Sequence, residues 1–248
     1  MMKSSILCAL LLTLGILADR SLAREVQVFR NESMPFCGTV DGKDAGMAVD
    51  ILNELSKYGG PTFKFTTLPW VRAQRYVQKT HNSVIIPLTR TSQREKKYRW
   101  IIELFSHQLR LTINKNSNRR EPLPSPLTIE DAKDLRVGII RGSAFLPNLR
   151  EFGFTEIIQA DTAQDNVEKL KAGSIAAMVE SQWVDSYNWK HAGMGPGDLL
   201  IGPTLSKTQH IYLAGAPNFS PELAIQIQMT MDELRKSGRL DEILDKWR

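Results

Sequence analysis

Short apolar strands and amphipathic helices alternate along this chain, and the alternation occurs twice. The first series begins with the alternating strand Glu25 to Phe29 and continues through an amphipathic helix, Met47 to Tyr58, and the strand Phe63 to Thr66. The second series begins at Thr128, and its first apolar strand is Val137 to Ile140. Strands that alternate with helices in this way are typical of α/β proteins with mainly parallel sheets.

A change of composition separates the two series. The stretch Asn114 to Pro126 contains Arg119, Arg120, several Asn and Ser residues and three prolines, a mixture typical of loops. Near the other end, the strand Thr208 to Ala214 is predicted to return the chain to the first series. We therefore expect two α/β lobes joined by two crossings, with residues 24–112 and 206–248 in the first lobe and residues 113–205 in the second.

The first 23 residues have the organisation of a secretory signal peptide. Lys3 provides the positive charge, Ile6 to Leu17 is an apolar core too short to span a bilayer, and Ser21-Leu22-Ala23 fits a cleavage site. No later segment has 18 consecutive apolar residues. We therefore expect a soluble mature protein in the periplasm.

Composition argues against several classes of function. Only Cys37 would remain after signal cleavage, so the mature chain has no intramolecular disulfide. Lysines and arginines are scattered among acidic residues, and this pattern does not favour nucleic-acid binding. The histidines are dispersed, with no HExxH motif, so we expect neither a metal nor a cofactor. Cys37 is interpreted as a small buried hydrophobe, with a reactive thiol as the alternative.

The stretch Leu68 to Trp100 contains the strongest candidate binding residues. Ser92 and Glu95 have the spacing of a capping box, which predicts a helix with Arg94 in its first turn. Unpaired amides and the positive dipole end at that place, together with the Thr89 hydroxyl, would form an anion site suited to a carboxylate. The alternative is that Arg94 caps a surface helix or pairs with Glu95. Leu88, beside Thr89, is included as a candidate.

Further candidates lie where other predicted strands end. Trp70 begins a helix after Pro69, at the edge of the sheet where ligands of doubly wound folds bind, so it is interpreted as an apolar wall; the alternative is a core tryptophan. Gly142 and Ser143 form a strand–helix turn whose amides would point out of a helix N-terminus; the alternative is a plain turn.

Glu180 ends the apolar strand Ile175 to Val179. A carboxylate at the end of a buried strand is costly unless it meets a cation. That cation is either the ammonium group of a ligand or a neighbouring lysine or arginine.

The string PW-x-RA … PLTRT-x-x-REK and the ending SGRLDEILDKWR resemble the bacterial extracellular solute-binding proteins of family 3, the polar amino-acid binders of ABC transporters. The resemblance extends over nearly the whole mature chain. It implies a type II periplasmic-binding-protein fold with a ligand between two lobes, a membrane permease as partner, and a monomeric receptor. It also implies that Thr89, Arg94 and the turn at Ser143 contact the ligand's α-carboxylate, and that Glu180 binds its α-amino group.

Three positions depart from that family. Ser33 stands where the family has an aromatic wall, and Phe36 is the candidate substitute. Pro87 replaces a second hydroxyl residue, and Glu180 replaces the usual aspartate. These changes leave the ligand unidentified, although a small carboxylate-bearing molecule such as an amino acid is expected.

Two other functions remain open from the sequence. Some proteins similar to this family are prephenate dehydratases that use a cleft carboxylate as proton donor, and Glu180 would serve if burial raised its pKa. No acid–base partner is evident, so a binding protein rather than an enzyme is expected. The third reading is a ligand-sensing module for a separate partner protein.

Overall fold

A computed structural model describes residues 25–115, 124, 126–195 and 197–247. The predicted signal peptide and most of the predicted connection 114–126 lie outside these residues. None of the described helices has the length and hydropathy needed to cross a membrane.

The elements follow one another in the alternation that the sequence predicts. The first half contains β1 (Glu25–Arg30), β2 (Gly38–Val40), β3 (Lys43–Ala45), α1 (Met47–Lys57), β4 (Thr62–Thr67), α2 (Trp70–Val77), β5 (Ser83–Thr89) and β6 (Arg99–His107). The second half contains β7 (Leu109–Asn114), β8 (Val137–Ile140), α3 (Leu146–Glu151), β9 (Ile157–Ala160), α4 (Ala163–Lys171), β10 (Ala177–Ser181), α5 (Gln182–Ala192), β11 (Leu199–Thr204), β12 (Gln209–Gly215), α6 (Pro221–Lys236) and α7 (Arg239–Trp247).

Two five-stranded sheets define two lobes among the described residues. The first sheet has the order β4-β1-β5-β12-β6, and the second has the order β11-β7-β10-β8-β9. In the first sheet β1 is parallel to β4 and β5, whereas β12 is antiparallel to both of its neighbours. In the second sheet β8 is parallel to β9 and β10, whereas β7 is antiparallel to both of its neighbours. The predicted two-lobed α/β fold is confirmed.

The first crossing between the lobes differs from the predicted boundary. It lies at Gln108, between β6 and β7, because Leu109–Asn114 pairs with β10 and β11 in the second sheet. Residues 109–112 therefore belong to the second sheet rather than the first. The apolar pattern of this run predicts a strand but not its partners, since strand pairing is decided by residues far away in the chain. The strand β6 was not predicted at all.

Local signals explain several of the element ends. Thr162 and Asp165 form a capping box at the start of α4, with each side chain bonded to the backbone of the other. The Ser220 hydroxyl accepts the Leu223 N–H at the start of α6. These caps set where the helices begin, and the helices pack their apolar faces against the sheets.

The stretch 31–46, predicted as a loop, contains the hairpin β2–β3. Arg30, which is only 1% exposed, ties this hairpin to the end of β1 through Glu32 (3.1 Å) and Asp44 (2.5 Å). The guanidinium of this ion-pair network is buried, whereas both carboxylates are exposed. The network holds the intervening segment, including Phe36, against the first lobe.

Candidate functional site

A cavity of about 90 Å³ lies between the two lobes, at the ends of β5, β6, β8 and β10. In α/β sheets this is where ligands bind, because the loops beyond the strand ends leave a crevice there. Its lining includes, from the first lobe, Asn31, Ser33, Phe36, Trp70, Pro87, Thr89, Arg94, His107, Gln209 and Ile211, and, from the second, Leu109, Ile139, Ile140, Ser143, Ala144, Val179 and Glu180. Within this lining, Arg94 and Glu180 are the residues with ordinarily charged side chains at neutral pH.

Arg94 lies in the cavity wall and is 8% exposed. Its guanidinium donates to the Thr89 carbonyl (3.1 Å), to Gln74 Oε1 (3.0 Å) and to the Gly142 carbonyl across the cleft (3.3 Å). All three acceptors are neutral, and no described carboxylate forms an ion pair with it. Burial lowers the pKa of Arg94 from its usual value. Arg94 is therefore a buried cation that is held by three carbonyl oxygens and has no counter-ion among the described residues.

The predicted helix with a capping box at Ser92 is wrong. The segment forms a single 3-10 turn, Glu95–Lys97, and no side chain caps it. Arg90 holds both oxygens of the Glu95 carboxylate, at 2.6 Å and 3.0 Å, so Glu95 does not complete a box. A three-residue turn has only a small dipole. The positive charge at this part of the cavity wall therefore comes from the Arg94 guanidinium itself.

Glu180 faces the same cavity from the end of β10. Its Oε1 accepts the Ser181 N–H at 2.9 Å, and no lysine or arginine among the described residues pairs with it. Burial raises the pKa of Glu180 to about 7, and the Ser181 hydrogen bond opposes this shift only in part. The predicted alternative, a salt bridge to a neighbouring cation, is not formed within the described chain.

A second carboxylate lies behind Glu180 and was not found by sequence reasoning. Asp185 is fully buried on α5, accepts a hydrogen bond from the Thr112 hydroxyl (2.7 Å) and lies 3.6 Å from Arg110 Nε. Burial, and to a smaller extent the charge of Glu180, raise the pKa of Asp185 to about 8. Arg110 is opposite Glu180 in the sheet register, yet its ion pair is with Asp185. Glu180 therefore faces the cavity without a cationic partner among the described residues.

The turn at Gly142 and Ser143 meets the first lobe, but not through the predicted helix N-terminus. The helix α3 begins only at Leu146, and the Ser143 N–H donates to the Ile140 carbonyl (3.0 Å). That amide is therefore not available to a ligand. The Ser143 hydroxyl lines the cavity, accepts the Phe145 N–H (3.2 Å) and still has its own hydrogen to donate. Gly142 lies outside this cavity lining, and its contribution is the carbonyl that accepts from Arg94.

Of the predicted apolar site residues, Trp70 and Phe36 line the cavity, whereas Leu88 is buried in the core of the first lobe. Trp70 lines the cavity at the first residue of α2 and is also buried in the core of the first lobe. Phe36 lines the cavity. Its ring centroid lies 4.8 Å from that of Phe105 and, across the cleft, 6.1 Å from that of Trp183. Leu88 does not line the cavity. It is fully buried with Phe29 and Trp70, because residues 87 and 89 face the cavity and side chains alternate along a strand.

Sequence reasoning missed several residues of the cavity lining, above all Asn31, His107 and Gln209. Asn31 directly follows β1, His107 ends β6 and Gln209 begins β12. A polar residue at a strand end was the signal that identified Thr89 and Glu180, and it applies equally to these three. His107 was not recognised because β6 itself was not predicted. Asn31 was assigned to the loop 31–46, and Gln209 was treated only as part of the returning strand Thr208 to Ala214.

Other chemistry finds little support in the described residues. They contain no group of three or more His, Cys, Asp or Glu side chains that would hold a metal ion. The Cys37 thiol is buried and donates to the Asn31 carbonyl (3.2 Å), and burial raises its pKa to about 12. This thiol is therefore inert near neutral pH, because the thiolate is the nucleophile.

Comparison with known proteins agrees with this architecture. The family model described as bacterial extracellular solute-binding proteins, family 3, matches residues 26–248. No curated protein sequence matches the chain. A mutant of ArgBP from T. maritima is 21% identical, with a TM-score of 0.76 over 90% of this chain and 94% of that one.

Two further solved structures have similar coverage. A histidine kinase sensor domain with similarity to periplasmic binding proteins is 18% identical, with a TM-score of 0.79 over 90% of this chain and 96% of that one. AncCDT-1, an ancestral amino acid-binding protein and precursor of cyclohexadienyl dehydratase, is 18% identical, with a TM-score of 0.76 over 90% and 95%. These likenesses show the fold. Because the family model spans nearly the whole chain, the protein belongs to the bacterial extracellular solute-binding proteins, family 3.

Proposed function

We propose that this protein is a periplasmic receptor for an amino acid or a related small zwitterion. One observation carries the proposal: Arg94 of the first lobe and Glu180 of the second line one cavity, and neither has an oppositely charged partner among the described residues. A buried charge without a partner is destabilising. A zwitterion supplies both missing partners, with its carboxylate at Arg94 and its ammonium group at Glu180.

Such a ligand would favour the closed arrangement of the lobes. It contacts both lobes in the closed form but only one in an open form, so its binding free energy shifts the hinge equilibrium towards closure. A hydrogen bond to a charged group contributes about 1.5–3 kcal/mol net. Contacts with Thr89, Arg94, Ser143 and Glu180, beside the Trp70 wall, are therefore sufficient for roughly micromolar affinity, about −8 kcal/mol, after ordering costs.

The partner and compartment follow from the family and the N-terminal sequence. A signal-like segment, residues 1–23, and membership of the extracellular solute-binding proteins support a periplasmic location. We expect the closed form to be recognised by an ABC permease in the inner membrane. The chain would act as a monomer without a cofactor.

A thermal-shift screen tests the binding role. The purified mature chain would be screened against amino acids, polyamines and small carboxylates, and hits would be measured by isothermal titration calorimetry. We expect one or a few zwitterions to raise the unfolding temperature, with dissociation constants in about the micromolar range. An equal response to every compound, or none to any zwitterion, would count against this function.

Gly142→Ala is expected to weaken ligand binding by impeding closure. Gly142 has φ +77°, and a Cβ there would lie 2.9 Å from Val71 Cγ2 of the first lobe. Valine is stiff at χ1, so the contact would open the lobes by a small amount. A penalty of about 1–2 kcal/mol on the closed form lowers affinity roughly 5- to 30-fold. Calorimetry and small-angle X-ray scattering, with and without ligand, measure the affinity and the closure.

Gly173→Ala is the matched control for this variant. Gly173 has a similar backbone, φ +70°, but a Cβ there would meet no atom of the described residues within 4 Å. It should therefore lower stability by the same backbone strain and leave ligand affinity unchanged. If both variants lose affinity equally, the interlobe contact at Gly142 is not what matters.

A dehydratase on the same scaffold is the second candidate, and one observation favours it. Burial raises the pKa of Glu180 to about 7, so near neutral pH a substantial fraction of this carboxyl is protonated and able to donate a proton into the interlobe cavity. Incubation with prephenate, followed by detection of phenylpyruvate, tests this activity. Product formed by the native chain and lost in Glu180→Gln would establish it. No product would leave the binding role as the function.

A further inference from the structure

Polar atoms at the cavity remain without partners after the zwitterionic head group is accommodated. In the part of the chain that the structure describes, both ring nitrogens of His107 and Oδ1 of Asn31 are buried and make no hydrogen bond. Both residues line the cavity, and Asn31 is only 6% exposed. Buried polar groups in folded proteins are nearly always hydrogen-bonded. Unsatisfied ones in a cavity wall therefore indicate a place where a ligand makes those bonds.

These groups lie at the hinge end of the cavity. His107 is the last residue of β6, immediately before the first crossing, and its register partner is Gln209, the first residue of β12 after the second crossing. Gln209 also lines the cavity. The His107 ring stands edge-on to Phe36 at 5.4 Å. A ligand group placed here would meet hydrogen-bonding side chains from both connecting strands beside one aromatic wall.

The charges of the cavity restrict what that group is. Among the described lining residues there is one acid, Glu180, and one guanidinium, Arg94, and the proposed head group uses both. Burial lowers the pKa of His107 to about 4, so the imidazole is neutral at neutral pH, with one nitrogen donating and the other accepting. A second ammonium, guanidinium or carboxylate on the ligand would be buried without a counter-charge. An uncharged group with both a donor and an acceptor is complementary.

The cavity volume also restricts the ligand's length. A water molecule needs about 10–15 Å³ of such space. The cavity of about 90 Å³ therefore accommodates roughly six to nine positions of that size. That matches an amino acid with a short side chain.

We propose that the receptor is selective for an amino acid with a short, uncharged, hydrogen-bonding side chain, a carboxamide above all, and that His107 and Asn31 recognise that side chain. The proposal rests on the receptor function proposed above. A carboxamide NH₂ donates to Asn31 Oδ1 and to the accepting nitrogen of His107. The other ring nitrogen points away from that contact and donates to the carboxamide oxygen through a water. Specificity then arises at the hinge and not at the head-group site.

Calorimetry with a matched ligand set tests this selectivity on the mature chain. Asparagine, aspartate and leucine have similar shapes but carry an amide, a charge or no polar group, and alanine and arginine complete the set. We expect asparagine to bind at least tenfold more tightly than each of the others. Aspartate, leucine or arginine binding as tightly as asparagine would overturn the proposal while leaving the receptor function intact. If no amino acid binds but another zwitterion of the thermal-shift screen does, this proposal fails and the receptor function stands. If no zwitterion binds, both fail.

Variants of His107 identify the residue responsible. His107→Phe keeps an aromatic ring beside Phe36 and removes both nitrogens, so the ratio of asparagine to alanine affinity should fall about tenfold. His107→Gln restores a donor and an acceptor and should recover most of that ratio. His210→Phe, at a surface histidine paired with Glu103, is the control and should leave the ratio unchanged. An unchanged ratio in His107→Phe would overturn the assignment of this residue.

Discussion

Arg94→Ala should abolish ligand-induced thermal stabilisation and leave the unliganded protein folded. The guanidinium is the buried cation of the cavity, and without it a ligand carboxylate would be buried opposite neutral groups only. Removing one partner of a buried ion pair costs about 3–5 kcal/mol, equivalent to a loss of affinity of roughly 100- to 1,000-fold or more. The unliganded protein loses no ion pair within the described chain, since the acceptors of Arg94 are neutral. Thermal unfolding and calorimetry with the best zwitterion measure both effects.

Arg90→Ala is the matched control. Arg90 belongs to the same segment, but it is 41% exposed on its side chain and pairs with Glu95 at 2.6 Å, outside the cavity lining. The bidentate pair with Glu95 and the contacts of the Arg90 guanidinium with the Trp100 and Tyr212 rings, 5.4 Å from each centroid, lie outside the cavity lining. Their loss should lower stability by about 1–2 kcal/mol and leave ligand affinity unchanged. A full ligand shift in Arg94→Ala, or an equal loss in Arg90→Ala, would contradict the assignment of the carboxylate site.

Glu180→Gln should weaken ligand binding at pH 8 by about 100-fold or more, because the ligand's ammonium group would lose its carboxylate partner. The same change should stabilise the unliganded protein at pH 8. Burial raises the pKa of Glu180 from 4.5 to about 7. Between pH 4.5 and pH 7 the carboxyl is therefore protonated in the folded state and ionised in the unfolded state. The contribution of this carboxyl to stability is complete below about pH 4.5 and is lost as the pH rises through 7.

The unliganded native chain should therefore become less stable between about pH 5 and pH 8, and Asp185, whose pKa burial raises to about 8, adds to the same trend. Glu180→Gln should remove its part of this dependence, at most about 3 kcal/mol. Ligand affinity has the opposite dependence. It should fall as the pH drops below about 7, by up to tenfold per pH unit, because the ammonium group needs an ionised carboxylate. Unfolding curves and titrations at pH 5.5, 7 and 8 measure both trends.

Glu103→Gln is the control for these pH experiments. Glu103 contacts His210 and Tyr212 on the first lobe and does not line the cavity. Its replacement should not change ligand affinity. An affinity for zwitterions that is equal at pH 5.5 and pH 8 in the native chain would show that Glu180 does not bind the ammonium group.

The candidate site shows which parts of it were predictable. Thr89, Arg94, Trp70, Ser143 and Glu180 were predicted from strand and helix ends, and all of them line one cavity. Strand ends converge because parallel strands share one edge of the sheet, so position in the sequence alone indicates proximity. For Arg94 and Ser143 the predicted structural role, at a helix N-terminus, was wrong. Arg94 is not in a helix, and the Ser143 amide is used within its own turn.

The sequence by itself determined the alternation of strands and helices, apart from β6, the hairpin β2–β3 and the turn at Arg94, and it determined the two-lobed α/β class. Periodicity and turn chemistry act over a few residues, so they predict such local elements. Only the tertiary structure decided which lobe contains Leu109–Asn114, that Arg110 lies beside Asp185, and that the ring nitrogens of His107 form no hydrogen bond with the described residues. These outcomes depend on contacts such as Thr112 with Asp185 and Arg94 with Gly142, which join residues 73 and 48 positions apart. Local patterns contain no information on such pairs, so burial and charge pairing emerge only when the two lobes fold and meet.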